Sequence, residues 1–131
     1  MIDNRGSQFP PYGHELILDL HGCDASTFNR ESIEEFFALL CDKIEMVACE
    51  LYFWDDVGVS PEEQQTAPHT KGTSAVQFIL TSTIVIHTLD LLETAYLNIF
   101  SCKGFDPDVA TMFAVEWFRA KDHRSHQIER L

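Results

Sequence analysis

Hydrophobic and polar positions along the chain follow two periods, one typical of strands and one typical of helices. The segment HELILDLHG (14–22) alternates, so it predicts a half-buried strand whose inner side chains are Leu16, Leu18 and Leu20. From about Asn29 to Glu45 the apolar residues recur every three or four positions, which predicts an amphipathic helix. Its expected buried residues are Ile33, Phe36, Phe37, Leu40 and Ile44.

The remainder of the chain predicts further strands and a second helix. VACELYFW (47–54) is strand-like, and the polar segment 55–73 predicts a loop in which Ser60 caps a short helical turn. Three strand-like runs follow, at 74–81, 83–89 and 94–101. A helix then starts with Asp106 as its N-cap and Pro107 at its first position. Its expected apolar stripe is Val109, Met112, Phe113 and Trp117, and the charged tail after it fits either a short strand or a loose end.

This order of elements, β-α-β, loop, β-β-β, α, lacks regular β-α alternation. It therefore predicts an α+β fold, a two-layer sandwich of an antiparallel sheet with helices on one face. We expect one domain over residues 1–131, because a chain of this length buries a core without staples.

Composition narrows the class of partner. Nine basic and 21 acidic residues give a net charge of −12, a field that repels nucleic acid and anionic membranes and attracts small cations. The four cysteines have no disulfide or zinc spacing. The apolar stretch 76–100 contains His87, Asp90 and Glu93, which are costly inside a bilayer. With no signal peptide, we expect a cytoplasmic protein that uses neither metal nor membrane.

Polar residues inside the apolar run LTSTIVIHT (80–88) are the main candidates for chemistry. Ser82 alone is an ordinary strand residue, His87 alone a satisfied sheet histidine, and Cys102 alone a small buried hydrophobe. On a straight strand, Ser82 and His87 face opposite sides, so they meet only if the backbone bends near 82–84.

The spacing of these residues resembles the S-adenosylmethionine decarboxylase family of the small bacterial and archaeal kind. The family's glycine, serine, second serine, Ile-His-Thr and cysteine match Gly72, Ser74, Ser82, Ile86-His87-Thr88 and Cys102 without a gap. HELILDLHGCD (14–24) also resembles the family's first strand, and SCKGFDPDVA (101–110) its link into the second helix.

The resemblance implies that the protein makes its own cofactor. The Ser82 hydroxyl would attack the carbonyl of Thr81, and elimination would cut the chain between Thr81 and Ser82 and leave a pyruvoyl group on residue 82. His87 would be the base for elimination, and Ser74 would hydrogen-bond the reacting centre. The pyruvoyl group would then form a Schiff base with an amine substrate, and Cys102 would protonate the carbon that loses CO2. The family also implies polyamine biosynthesis and a homodimer.

Two departures from the family pattern affect the expected function. Threonines 81 and 83 replace the family's glutamate and histidine around the serine. Leu89-Asp90-Leu91 replaces the Trp-Pro-Glu that helps to hold the ribose, which points to a basic amino acid such as ornithine or arginine beside S-adenosylmethionine. Asp90 and Glu93, or Asp55 and Asp56, are candidates to pair with the substrate's distal cation.

Two other functions remain open at this stage. The first is an inactive, unprocessed relative that acts as a regulatory or binding partner, which the flanking threonines motivate. The second is an unrelated α+β binding module.

Overall fold

The computed structural model describes residues 10–131 and contains one six-stranded sheet with two helices. The strands are β1 (Gly13–His21), β2 (Ala48–Trp54), β3 (Ser74–Ile79), β4 (Ser82–Leu89), β5 (Thr94–Ser101) and β6 (Asp122–Arg130). The helices are α1 (Arg30–Lys43) and α2 (Pro107–Phe118), and short 3-10 turns span Ala25–Thr27 and Pro61–Glu63. The predicted antiparallel α+β sandwich is confirmed.

All strand pairs in the sheet are antiparallel, in the spatial order β2-β3-β4-β5-β1-β6. Strands β3, β4 and β5 are joined in sequence, whereas β1 lies between β5 and β6. Because side chains alternate along each strand, one face of the sheet carries the helices and the other, which we call the open face, does not.

The core lies between the helices and one face of the sheet. Leu16, Leu18 and Leu20 are fully buried there, which confirms the predicted inner face of β1. The predicted stripe of α1 is confirmed too, since all five of its residues are buried. Asn29 caps this helix by accepting a hydrogen bond from the Ser32 amide.

The predicted stripe of α2 is right for two of its four residues. Phe113 and Trp117 are half-buried and pack against the core, whereas Val109 and Met112 are exposed. The fully buried residues of the helix are Ala110, Thr111, Ala114 and Phe118. The small alanines let α2 lie close to the sheet. The Phe118 ring packs edge-on against the Phe36 ring, with the two ring centroids 4.8 Å apart. Asp106 caps the helix as predicted, by accepting from the amides of Asp108 and Val109.

Two predicted boundaries also differ from the structure. The charged tail forms β6, a full nine-residue strand along β1. The run 74–81 ends at Ile79, and Ser82 begins β4 instead of lying between two strands. Ser60 precedes its short turn as predicted, but its side chain makes no capping hydrogen bond.

Candidate active site

Ser82 is the first residue of β4, directly after a two-residue turn made by Leu80 and Thr81. Ile79 and Ser82 form the last pair of the β3–β4 ladder. Thr81 closes this turn with φ at +62°, a left-handed conformation that glycine or asparagine normally supplies. A β-branched residue is strained there, so the peptide that joins Thr81 to Ser82 follows a strained residue.

The buried Ser82 side chain contacts Cys102, which follows the end of β5. The Cys102 amide donates to Ser82 Oγ at 3.1 Å, and the Ser82 hydroxyl lies 3.8 Å from Cys102 Sγ. Thr81 Oγ1 lies 2.8 Å from the same sulfur. Thus three of the predicted residues, Thr81, Ser82 and Cys102, form one cluster at the end of the sheet.

Hydrogen bonding makes the Cys102 thiol more acidic than usual. The hydrogen bond with the Thr81 hydroxyl lowers the pKa of Cys102 most, followed by the hydrogen bond with the Ser82 hydroxyl, because such contacts favour the charged thiolate. Burial has the opposite effect elsewhere and raises the pKa values of Cys23 and Cys41 to about 11. The cysteine beside Ser82 is therefore the one whose environment favours proton transfer.

Gly13 holds the backbone close to this cluster, although the sequence analysis did not single it out. A Cβ at Gly13 would lie well within 3.0 Å of the Ser101 carbonyl oxygen. The segment is tied further by the Ser101 hydroxyl, which donates to the Lys103 carbonyl at 2.7 Å and accepts from the Lys103 amide at 3.0 Å. A lone glycine at the start of a strand gave no sequence signal for this role.

Ser74 and His87 form a second polar pair, on the open face. They are directly opposed in the β3–β4 register, with Ser74 Oγ and His87 Nδ1 2.8 Å apart. Trp54 lies opposite Ser74 on the next strand, and Tyr96 lies opposite His87 on the other side. The four side chains form a row across β2, β3, β4 and β5.

The structure does not bring this pair to Ser82. The pairing of β4 with β3 and β5 runs without a register shift, so the bend at 82–84 that would join the two groups is absent. Five residues of strand separate Ser82 from His87 by about 16 Å. Alternation also puts Ser82 on the face with the helices and His87 on the open face.

A cavity of about 470 Å³ lies over the row that contains Ser74 and His87. The loop at 55–72 supplies most of its remaining wall, with Asp56, Glu63 and His69 among the lining residues. The loop is held by Arg30, whose guanidinium donates twice to Asp55 at 2.7 and 2.8 Å. This ion pair lowers the pKa of Asp55 and commits that carboxylate to a structural role.

The base of the loop closes through a tight contact at Gly72. A Cβ at Gly72 would meet the Thr88 carbonyl oxygen at well under 3.0 Å. Beside it, the Thr88 amide donates to the Thr73 carbonyl at 2.8 Å, and the Thr73 amide donates to Thr88 Oγ1 at 3.0 Å. Only a glycine at position 72 lets the loop join β3 next to Ser74 in this way.

Asp90 and Glu93 do not line this cavity. Asp90 borders a separate, polar cavity with Arg30 and Lys71, where burial raises the pKa of its carboxyl group. Its Oδ1 atom has no hydrogen-bond partner within the described residues. Glu93 is exposed in the β4–β5 turn, where its carbonyl accepts from the Cys23 amide.

Within the described residues, neither a metal-binding cluster nor a membrane-spanning helix is present. No group of three or more histidine, cysteine, aspartate or glutamate side chains in residues 10–131 is placed to hold a metal ion. No helix in that range has the length and apolar character needed to cross a bilayer.

Comparison with known proteins gives the family. The family model described as S-adenosylmethionine decarboxylase matches residues 14–131, which include every candidate residue of both groups. This chain belongs to that family. No curated protein matches. Membership in the S-adenosylmethionine decarboxylase family supports a decarboxylase of polyamine biosynthesis.

A solved structure supports the fold independently. The crystal structure of the adenosylmethionine decarboxylase from Aquifex aeolicus VF5 superimposes with a TM-score of 0.71 over 92% of this chain and 91% of that chain. Sequence identity is 20%, so this likeness establishes the shared fold.

Proposed function

We propose that this protein is a self-processing, pyruvoyl-dependent decarboxylase that cuts its own chain between Thr81 and Ser82. The observation that carries the proposal is the Thr81–Ser82–Cys102 cluster. A buried serine hydroxyl follows a residue in a strained left-handed conformation, and it contacts a cysteine whose pKa is lowered. Strain at Thr81 lowers the free energy needed to distort the Thr81–Ser82 peptide bond, which the serine must attack.

The proposed cleavage balances without an external oxidant or reductant. Ser82 Oγ adds to the Thr81 carbonyl, and the amide becomes an ester with a free amine on residue 82. Loss of the Cα proton expels the Thr81 carboxylate and leaves a dehydroalanine, which takes up water, releases ammonia and becomes the pyruvoyl group. A pyruvoyl group at residue 82 would supply the electron sink that decarboxylation of an amine substrate requires.

Ser82 and His87 are too far apart in one chain to act together, so Ser82 needs a histidine from elsewhere. We propose that a second copy supplies it, with Ser82 and Cys102 of one copy next to Ser74 and His87 of the other. The open face suits such a contact because it carries many apolar side chains: Ile17, Tyr52, Trp54, Val76, Phe78, Val85, Tyr96 and Phe100. Two open faces can meet about a two-fold axis that runs across the strands. The Ser82 end of β4 in each copy then lies over the His87 end of β4 in the other copy.

Cleavage of the chain makes it easier for residue 82 to reach His87 of the other copy. Residue 82 lies on the helix-bearing face while the turn is intact. Once the chain is cut before it, residue 82 is a chain end, and the start of β4 is released from the turn. The new terminus then needs only a local movement to reach the open face.

Mixing two inactive variants tests the shared site. Ser82→Ala removes the pyruvoyl precursor and His87→Ala removes the imidazole, so each variant alone should lack activity. If the site is shared, subunit exchange gives mixed dimers with one complete site, and activity should return to about a quarter of wild type. No recovery after confirmed exchange would show that each copy must supply both residues.

The substrate, we propose, is a small cationic amine bound in the cavity over His87. The aromatic residues Trp54 and Tyr96 and the acidic residues Asp56 and Glu63 line the same space, a combination that favours a cation with an apolar stem. Asp55 is committed to Arg30, and Asp56 Oδ2 accepts from the Gln65 amide at 2.9 Å, so Asp56 Oδ1 and the Glu63 carboxylate remain for this role. S-adenosylmethionine and the basic amino acids ornithine and arginine both satisfy these requirements.

Release of CO2 from carboxyl-labelled substrates tests this proposal. The protein should release CO2 from S-adenosylmethionine, ornithine or arginine, and the Ser82→Ala variant should release none from any of them. Asp56→Asn and Glu63→Gln should raise KM more than they lower kcat, because these carboxylates bind the cation away from the reacting carbon.

An unprocessed regulatory relative remains the alternative, and the regular β3–β4 hairpin favours it. In that case Ser82 is only a turn residue, and the Ser82→Ala protein should keep its full cellular effect. Under the enzyme proposal the same substitution should abolish that effect.

A further inference from the structure

Strand β6 forms one edge of the sheet and has an unusually regular free side. It pairs with β1 through nine consecutive residues without a register shift, from Asp122 opposite His21 to Arg130 opposite Gly13. All nine residues are exposed, and within residues 10–131 no strand pairs with its outer edge. The sequence DHRSHQIER contains no proline or glycine that would interrupt a further ladder.

The opposite edge of the sheet is built differently. Strand β2 has a register shift between Ala48 and Leu51, so its ladder is broken. The side-chain amide of Gln77, on the neighbouring strand, donates through Nε2 to the carbonyls of Cys49 and Glu50 at that point. A bulge of this kind is a common way to prevent edge-to-edge pairing. Among the described strands, the edge at β6 is the one left regular along its whole length.

The order of charges along β6 is complementary to itself in an antiparallel arrangement. With a two-fold axis at His126, Asp122 lies opposite Arg130 of the second copy, and His123 lies opposite Glu129, each twice by symmetry. Moving the axis by one residue removes this match. An axis at Ser125 places Arg124 opposite His126, and an axis at Gln127 places Arg124 opposite Arg130.

The contacts of these side chains within one chain leave them able to pair. Arg130 donates one Nη to Glu15 at 2.6 Å, and a guanidinium has further donors for a second carboxylate. Asp122 accepts from the His123 amide through Oδ1 and has a second oxygen. A second copy fits better than an unrelated acidic peptide, because β6 carries acids at both ends as well as bases.

We propose that β6 pairs antiparallel with β6 of a second copy about a two-fold axis at His126, which joins two sheets into one of twelve strands. Side chains of even-numbered β6 residues stay on the open face, and odd-numbered ones stay on the face with the helices. The open face itself remains uncovered by this contact. Edge pairing is therefore independent of decarboxylation, and together with a contact between open faces it gives a tetramer.

Engineered cysteines test the register of the edge contact. The full-length protein with Cys49→Ser, which removes an exposed native thiol, serves as the background. Directly opposed residues in an antiparallel pair have Cα atoms about 4.5–5.5 Å apart, within the range of a disulfide. His126→Cys should therefore give a covalent dimer on mild oxidation, with the 126–126 peptide identified by mass spectrometry.

Cysteines two residues from the axis provide the matched control. Arg124→Cys alone and Ile128→Cys alone should not crosslink, because each is about 13 Å from its own symmetry mate. A mixture of the two proteins should crosslink, since residue 124 lies opposite residue 128 of the second copy. Absence of the 126–126 disulfide, or a 124–124 disulfide in its place, overturns the proposal.

A charge swap tests the same contact without crosslinking. Asp122→Arg should weaken edge association about tenfold in sedimentation equilibrium, because its two attractive pairs with Arg130 of the other copy become repulsive. Adding Arg130→Asp should restore it, whereas Glu116→Arg, a charge reversal on the exposed side of α2, should leave association unchanged. Equal behaviour of the Asp122→Arg and Glu116→Arg proteins would show that β6 does not form the interface.

Discussion

Gly72→Ala is the substitution whose cost follows most directly from the geometry. The added Cβ would fall well inside 3.0 Å of the Thr88 carbonyl oxygen, and the neighbouring atoms are Thr88 and Leu89 backbone that cannot rotate away. The loop or β4 must therefore move. Relief of such overpacking costs about 1–3 kcal/mol. Weakening the hydrogen bonds between Thr73 and Thr88 adds about 1 kcal/mol, so the expected loss is about 2–4 kcal/mol.

Urea unfolding in a Ser82→Ala background, which keeps the chain in one piece, measures this loss. With an m value of about 2 kcal/mol/M, the midpoint should fall by about 1–2 M while m stays constant. Gly104→Ala is the matched control, because nothing lies within 4 Å of the added Cβ and the midpoint should hardly change. A loss below about 1 kcal/mol for Gly72→Ala would refute the close approach of the loop to β4.

Three further predictions follow from the site and the core. Thr81→Val should raise the pKa of Cys102, because it removes the hydroxyl that lowers it most, and the pH profile of iodoacetamide alkylation should shift upward. Phe118→Ala should cost about 3–5 kcal/mol in urea unfolding, because it empties a fully buried ring site against Phe36. Arg30→Ala should lower stability at pH 7, and the loss should shrink progressively as the pH falls below about 4, because the guanidinium lowers the pKa of Asp55 and that stabilisation disappears as the carboxylate becomes protonated.

Each of these has a control within the same chain. Cys23 and Cys41, with pKa values near 11, should stay unmodified over the alkylation range, and a shift in Thr81→Val that equals that of Thr81→Ser would contradict the hydroxyl's role. Met112→Ala, on the exposed side of the same helix as Phe118, should cost little. An Arg30→Ala effect that does not shrink at all as the pH falls below about 4 would show that the arginine stabilises by packing alone.

Periodic segments of the sequence were sufficient to predict most of the fold. The leucines of β1 and the stripe of α1 repeat at regular intervals, so their burial follows from the pattern. The stripe of α2 was predicted in part: Phe113 and Trp117 do pack against the core, but Ala110 and Ala114 take the buried places expected for Val109 and Met112, because a close helix–sheet contact requires small residues. The strand β6 was missed as a definite element because none of its residues is buried.

The candidate site was predictable as a set of residues but not as an arrangement. Spacing along the chain identified Ser74, Ser82, His87 and Cys102, and the family model covers all four. Spacing could not show that β4 runs straight, so that Ser82 and His87 end on different faces. The strained conformation of Thr81 also has no sequence signature, because threonine is a residue that such a turn normally avoids.

The intact mass of the purified protein under denaturing conditions tests the central claim most directly. If Ser82 cuts the chain, two species should appear, residues 1–81 and residues 82–131, together heavier than the 15.0 kDa chain by one water and lighter by one ammonia. The second should resist Edman degradation because a pyruvoyl group blocks its N-terminus. A single species at 15.0 kDa after long incubation would contradict self-processing and favour the regulatory alternative.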